Sequence, residues 1–587
     1  MSDADFARPA MDVDVACVGF GPAAAGFLTV LSRALANTSG AAKALESRAA
    51  PGLPLQVVCY ERADGIAFGV SGVVTRAHGI RATLPDLTAD QIPMAAAVAE
   101  EKLVYLLDPI GVSHRSRTLR LADGILRGLK LARDSACELP YIPPFLEKDG
   151  GMVLSLGQFL EHIGGELMGA GAVQIWPGMP VSEPLIEDGR VAGVRLADMD
   201  VRAALTVVAD GPVGAVGRRL DLEFGRPPGH AHREWALGMK MVVELAPEKA
   251  LRPGTVIHTF GYPEPEIFGF LYALPGNLAA VGIFVPSWFR NPMRTAYRYL
   301  QHYMLHPHLW RYLQGGKLRS WGAKSLAESG RRAEPFLCGH GYARIGEGSG
   351  STNPLAGSGV DEAWTTGAQL AEAVLELLLE GRPLTKENLE ASYVALRRKS
   401  WVEQGARIAE RARDGFHGGV IRGMAGMALA GMTNGRLWLK GEPHPLADLH
   451  EYYRGRIPAE ELDRIVADCR ARGVPCHDTL MDRCGWPAIP YDGQLLVSHQ
   501  DALLMGGKVQ APAGFADHVR FRDPELCRSC AAKTCIEMCS GQALSPGEDG
   551  VPAFDREKCV YCGACLWNCT GNLEFAAGAG GLHSNEN

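Results

Sequence analysis

The chain alternates between two kinds of hydrophobic pattern. Near its start the unbroken apolar run "VDVACVGF" passes through glycines into "AAAGFLTVLSRAL", whose apolar residues recur with a helical period. This predicts a buried strand, a tight turn and a helix. A second apolar run, "LQVVCYERA", ends at Glu61, and a third, "LTVVADGPVGAVGRRL", runs into Asp210 and Gly211. "CGHGYARIGEGSGSTNPLAGSGVDEAWTTGAQLAEAVLELLLEG" repeats the order strand, glycine-rich turn, long amphipathic helix. Strands alternating with helices predict a parallel sheet of the doubly wound kind. Between residues 234 and 335 the pattern changes to short strand-like runs, "LGMKMVVELA", "GFLYAL" and "LAAVGIFVP", with one aromatic helix, "NPMRTAYRYLQHYMLHPHLWRYLQ". This predicts an antiparallel sheet with the helix packed on it. His302, His306 and His308 of that helix read as packing or surface residues, not ligands.

The turns carry candidate chemistry. Gly19, Gly21, Ala24 and Gly26 fit G-x-G-x-x-A-x-G. The first glycine makes the tight turn, the second admits a pyrophosphate, and the small third residue lets helix pack on strand. Glu61 is the acidic residue that would hold a ribose hydroxyl, with Arg62 beside it. It lies beyond the usual spacing of about 20 residues. The insert "ANTSGAAKALESRAAPGLP" explains the distance as a longer helix end plus a loop. A plain strand-turn-helix and a solvated strand-end charge are the competing readings. The later segments favour FAD: Gly211 at one strand end, Gly346, Glu347 and Gly348 in the second turn, and Gly357, Ser358 and Gly359 before the long helix. Amides at that helix start could face an electron-rich flavin edge. No second strand-anchored G-x-G-x-x-G is visible, so a separate NAD(P)H domain is not predicted. No nucleophile elbow, zinc motif or acid-base signature stands out, so no side chain is assigned a catalytic step and electrons are expected to move through cofactors.

The tail concentrates eight of the fifteen cysteines. Cys527, Cys530, Cys535 and Cys539 are spaced C-x2-C-x4-C-x3-C, and Cys559, Cys562, Cys565 and Cys569 are spaced C-x2-C-x2-C-x3-C. The second is the bacterial ferredoxin run, whose fourth cysteine ligates the other cluster. Two [4Fe-4S] clusters are predicted: Cys527, Cys530 and Cys535 with Cys569, and Cys559, Cys562 and Cys565 with Cys539. Ser540 and Thr570 stand where proline commonly follows the fourth cysteine. A zinc module is the alternative for paired C-x2-C.

Composition narrows the setting. A net charge of -7 gives no support for nucleic-acid binding. No signal or transit peptide is visible, and no run of about 18 apolar residues predicts a transmembrane helix. The other seven cysteines are scattered, as suits a reducing cytoplasm. "FHGGVIRGMAGMALAGMTNGRLWLKG", from Phe416 to past Trp438, is uncharged from Gly423 to Met432 and contains Met424, Met427 and Met432. It reads either as a glycine-packed core helix or as a surface that dips into a membrane, with Arg422, Arg436 and Trp438 near headgroups.

This order of parts resembles the electron-transfer flavoprotein-ubiquinone oxidoreductase family and its Fix-type relatives, with a ferredoxin part fused at the C-terminal end. Beyond the dinucleotide motif, the resemblance rests on "HTFGYP", "FLYAL", "GGKLRSWGAKSLAESG", "HGGVIRGMAGMALAG" and "YDGQLLVSHQDALLMGG". It implies a glutathione-reductase-type FAD fold over residues 1–233 and 336–412, and a quinone-side sheet domain over 234–335. An apolar membrane-facing region would span 413–500 and a ferredoxin domain 501–587. It also implies a monotopic enzyme on the cytoplasmic side of a bacterial inner membrane. Such an enzyme takes electrons from a two-subunit electron-transfer flavoprotein, or a ferredoxin-like donor, and passes them to a membrane quinone. The quinone pocket would lie between the Phe416 patch and "FGYPEPEIFGFLYAL", near Gly269 and Phe270. Two departures stand out. The family's single cluster matches Cys539, Cys559, Cys562 and Cys565 alone, and its glycine pair near the quinone is reduced here to Gly269. The alternatives are a ferredoxin-linked flavin reductase of a prenyl or lipid substrate, and a non-catalytic relay subunit.

Overall fold

The computed structural model describes residues 8–36, 45–66, 72–443, 446–505, 507–508, 517–569, 571–577 and 582–583. Residues 37–44 of the predicted insert, and Thr570, lie outside the described residues. The remainder of the insert is tied down by Asp14, whose carboxylate accepts from the amides of Arg48, Ala49 and Gln56.

The first sheet is built on the apolar runs that open the chain. Strand Ala10–Val18 pairs in parallel with Val57–Tyr60 on one side and Asp200–Val208 on the other. Gln174–Trp176 and Tyr342–Arg344 extend the sheet outward, again in parallel. Both faces are covered, which is why these strands are apolar on consecutive positions rather than alternating ones. Helix Pro22–Ala36 crosses helix Val360–Leu379 on one face, with Phe27, Leu28, Trp364 and Leu370 in the shared core.

That crossing depends on missing side chains. A Cβ at Gly26 would lie 2.4 Å from the Trp364 carbonyl oxygen, and one at Gly367 would lie 1.9 Å from that of Ala23. Backbone cannot retreat as a flexible side chain can. Gly26→Ala should therefore lower stability by roughly 1–3 kcal/mol. Gly165, in helix Leu156–Ala170, faces open space. Gly165→Ala should be neutral or stabilising by about 0.5–1 kcal/mol, because alanine is the better helix former. Melting curves of the two variants compare these outcomes, and equal midpoints would remove the close-approach argument.

The second sheet has the order Lys317–Ala327, Trp235–Glu244, Leu278–Pro286, Phe268–Leu274, Thr255–Phe260, Glu100–Leu106, Ala136–Glu138. It is antiparallel except where Thr255–Phe260 runs parallel to Glu100–Leu106. Its last two strands come from the segment between the second and third strands of the nucleotide fold, so the region around 234–335 does not supply the whole sheet. One face packs Leu237, Met239 and Met241 against Tyr299, Leu300 and Tyr303 of helix Ala296–Met304. The other packs Phe270 and Tyr272 against Val74 and Val153 of a small sheet formed by Val73–Thr75, Met152–Leu154 and Ala95–Ala97. That small sheet lies between the second sheet and the nucleotide fold.

Candidate functional site

Three loops converge at one end of the first sheet. Gly19 has φ +88°, and a Cβ there would meet the Ala209 carbonyl oxygen at 2.9 Å. Ala24 is fully buried against the core. A Cβ on Gly21 or Gly211 would meet nothing within 4 Å, so the space above both turns is open. Glu61 Oε2 accepts from the Phe20 amide at 2.8 Å and Oε1 from the Ala63 amide at 3.0 Å. A carboxylate has about four acceptor positions, so Glu61 can steady the turn and still take a hydroxyl. Asp210 is spent locally: it accepts from Gly217 at 2.9 Å, and burial pushes its carboxyl up to about 6.

The second turn closes on the first. Gly346 has φ +71° and sits against Ala23, while a Cβ on Gly348 would lie 2.6 Å from the Gly211 carbonyl oxygen. Glu347 Oε1 accepts from the Ala327 amide at 2.9 Å, which ties this turn to the second sheet. Burial pushes the Glu347 carboxyl above its usual range, with Lys324 opposing. Gly357 has φ +61°, the Ser358 hydroxyl is buried without a partner, and Gly359 precedes helix Val360–Leu379. Open space over the glycine turns and an orphaned hydroxyl at a helix start fit a dinucleotide with an electron-rich ring at its far end.

Residues that sequence reading missed hold this arrangement together. Asp361 accepts from the amides of His78, Gly79 and Ile80 at 2.6, 2.8 and 3.3 Å. Lys148 is 2% exposed and donates to the carbonyls of Leu146 and Ala356. Lys240 is also 2% exposed and makes no hydrogen bond among the described residues. Its signal was present in "LGMKMVVELA": a lysine in the middle of a strand whose only other charge, Glu244, stands at its end.

The tail cysteines lie close enough to act on one another. Burial and then Cys569, Cys530, Cys527 and Cys539 push the Cys535 thiol up; burial and then Cys527 and Cys530 do so at Cys569. Burial and then Cys562 push Cys539 up to about 11, and burial, Cys562, Cys539, Cys559 and Cys535 act on Cys565. Several sulfurs accept hydrogen bonds: Cys539 from Ala543 at 3.2 Å and Leu544 at 3.4 Å, Cys559 from Tyr561 at 3.4 Å, and Cys527 from Asn572 Nδ2 at 3.2 Å. Among the described residues no three His, Cys, Asp or Glu side chains are grouped to hold a metal ion as they stand.

The second set sits against both sheets. The Ser325 amide donates to the Cys562 carbonyl at 2.8 Å, Trp567 Nε1 donates to Ser325 Oγ at 2.8 Å, and Val213 packs on Gly563. The Arg62 guanidinium lies 3.9 Å above the Tyr561 ring, one residue from Glu61. In the first set Cys530 is exposed.

On the far side, Phe416 is buried, stacks on Trp288 at 4.5 Å and meets Phe268 edge-on at 5.9 Å. The patch and the Phe268 strand therefore touch. Helix Val420–Met432 has two faces. Gly423, Gly426 and Ala430 are buried, and a Cβ on Gly423 would overlap the Phe416 ring. Outward, Ile421 is 53%, Met432 78% and nearby Leu437 56% exposed, with Met424 and Met427 half-buried. Trp438 lies 4.6 Å beneath Arg411. Phe270 stacks on Tyr272 at 4.4 Å, whereas Gly269 faces the opposite side, making room for Tyr303. No helix among the described residues is long and apolar enough to cross a membrane.

Residues 235–326 match the family model described as "ETF-QO, ubiquinone-binding". The chain is 26% identical over 419 residues to the electron transfer flavoprotein-ubiquinone oxidoreductase of Pseudomonas aeruginosa, covering 67% of this chain and 69% of that one. It is 27% identical over 618 residues to the mitochondrial protein of the same name from Dictyostelium discoideum, covering 98% and 90%. A geranylgeranyl bacteriochlorophyll reductase-like protein from Thermoplasma acidophilum shares the fold, with a TM-score of 0.50 at 16% identity over 78% of this chain and 99% of that one. With its matched sheet domain and relatives extending across the chain, this protein is an oxidoreductase similar to the electron transfer flavoprotein-ubiquinone oxidoreductases.

Proposed function

We propose that this chain takes electrons from a reduced electron transfer flavoprotein and delivers them to a quinone at a membrane surface, with FAD and two [4Fe-4S] clusters as its cofactors. FAD takes up electrons in pairs, and iron-sulfur clusters exchange them singly. The protein's part is to position and tune. The Gly19–Gly26 turn and Glu61 would hold the adenosine diphosphate half. Gly346–Gly348 and the Gly357–Gly359 helix start would hold the flavin half. Cys559, Cys562, Cys565 and Cys539 would hold one cluster, and Cys527, Cys530, Cys535 and Cys569 the other. Amide donation to Cys539 and Cys559 sulfur lowers the electron density there, which favours the reduced state of a metal bound to them.

The observation that carries this reading is the docking of the Cys562 segment on Ser325 of the family-matched sheet, with Arg62 reaching Tyr561 from the nucleotide fold. This packing supports a cluster site held beside the flavin site. The exposed apolar face of helix Val420–Met432 supports attachment to lipid. Phe416, which meets Phe268, supports a quinone pocket beneath it.

The test is anaerobic mixing of the purified protein with reduced electron transfer flavoprotein and a quinone, with and without lipid. Quinone reduction that depends on this chain and rises with lipid is the expected result. No reduction of any common quinone would overturn the proposal. Oxidation of the reduced protein by a prenyl lipid instead would redirect it to a lipid reductase.

A further inference from the structure

Lys240 stands alone in strand Trp235–Glu244, whose other inner residues are apolar or glycine. Its two cross-strand neighbours are Gly282 and Gly322, so its four-carbon stem lies in a trough between two glycines, beside the Phe270 ring. A Cβ on Gly282 would come within 2.8 Å of the Lys240 Cβ. The ammonium ends beneath Gly72, where an added Cβ would lie 3.0 Å from Nζ. It is 2% exposed and has no hydrogen-bond partner, and no carboxylate among the described residues pairs with it. Lys148, equally buried, has two carbonyls. Burying an unpaired ammonium costs several kcal/mol. Burial also drives this one well below the usual lysine range. The local packing gives no reason to keep a lysine here, since methionine would fill the same trough.

The surroundings indicate what it faces. Gly322 lies in strand Lys317–Ala327, whose Ala327 amide is held by Glu347 of the second glycine turn. Gly72 leads into strand Val73–Thr75, and the chain goes on to His78–Ile80, whose amides are held by Asp361 at the start of the long helix. Lys240 thus lies between the two segments that frame the flavin end of the site. We propose that Lys240 is a positioning residue for the flavin: its ammonium meets an electron-rich edge of the isoalloxazine ring and favours the negative charge that ring takes up on reduction. In that step two electrons, supplied by the electrode in the titration below, and one proton from solvent convert the oxidised ring to its reduced anion, and no bond to Lys240 forms. The inference rests on the flavin part of the proposed function and not on the donor or the quinone.

The experiment is a spectroelectrochemical titration of the flavin in the holoenzyme and in Lys240→Met, Lys240→Gln and Lys240→Arg. Met and Gln should raise the oxidised-to-reduced ratio at a fixed potential at least tenfold, about 30 mV for a two-electron couple. Arg should restore it to within about threefold, a change of roughly 14 mV on the same scale. A Met or Gln variant with full flavin and an unshifted ratio overturns the proposal. A folded variant that retains its iron but emerges without flavin supports it. Should neither variant fold, the Lys240 Nζ resonance of 15N-lysine-labelled wild-type protein decides. It should shift when the flavin is reduced, and an unchanged resonance overturns the proposal. An unshifted ratio leaves donor and quinone chemistry intact, whereas failure of quinone reduction leaves these flavin readings valid.

Discussion

The double variant Cys527→Ala, Cys530→Ala should lose about half its iron, falling from roughly eight atoms per chain to roughly four. Two ligands are removed together so that the remaining thiols cannot retain a partial cluster. The set that loses its ligands includes the exposed Cys530, while the other set is packed on Ser325 and Val213. Flavin content and chemical reduction of the flavin should therefore be unchanged. Reduction by the donor flavoprotein should slow by at least about tenfold, because the outer step of the path is gone. The matched variant Cys559→Ala, Cys562→Ala should lose the other half of the iron. The tail's seat on Ser325 should survive in it, since that bond is to the backbone carbonyl of residue 562, which alanine keeps. Iron analysis and stopped-flow reduction read both. If the first variant keeps all its iron, or is reduced by donor at the wild-type rate, the outer set is not part of the wire.

Ile421→Glu with Met432→Glu should release the protein from lipid while leaving its melting temperature within a degree or two. Both side chains are more than half exposed, so neither contributes to the core. Transfer of one such side chain from water to an apolar phase is worth about 1.5–3 kcal/mol. Losing both should weaken partitioning by on the order of a hundredfold, at about 1.4 kcal/mol per factor of ten. Glutamate adds repulsion from acidic headgroups. Flotation with liposomes measures it. A double variant that floats like wild type would mean that this helix face does not meet the bilayer. Gly423→Ala is the contrasting change: it should spare lipid binding chemistry but disturb the protein, because it drives a methyl into Phe416.

The two readings of this segment were both drawn from one uncharged run, and the helix divides them. Its glycines pack and its longer side chains face outward. Periodicity could not separate these faces because glycine and alanine carry little hydrophobic signal of their own. The first glycine turn and the spacing of the tail cysteines were legible because local geometry dictates them. Glu61 was legible as the residue that ends the next apolar run, which pairs beside the strand leading to Gly19. Lys148 and Asp361 were not, because what they hold lies far along the chain: Asp361 caps a helix more than 280 residues earlier. The strands Glu100–Leu106 and Ala136–Glu138 were hidden for a related reason. The first begins Glu-Glu-Lys, the second spans three residues, and parallel pairing with Thr255–Phe260 leaves no mark in local sequence. Gly269 was legible as special, but only the pleat of its strand shows that its missing side chain serves Tyr303.

The way the chain passes between the two sheets has a practical consequence. Residues 235–326 form a coherent block for comparison with relatives, yet the sheet they enter is finished by Glu100–Leu106 and Ala136–Glu138. Expressed as an excised fragment, that block would carry the Thr255–Phe260 strand as a bare edge, open to pairing with other copies of itself. Inheritance can copy such a segment as a module, but a ribosome cannot release it as one. The quinone-side sheet can close only after its early strands and its late ones have met, so no stretch of the chain shorter than residues 100–327 can form it.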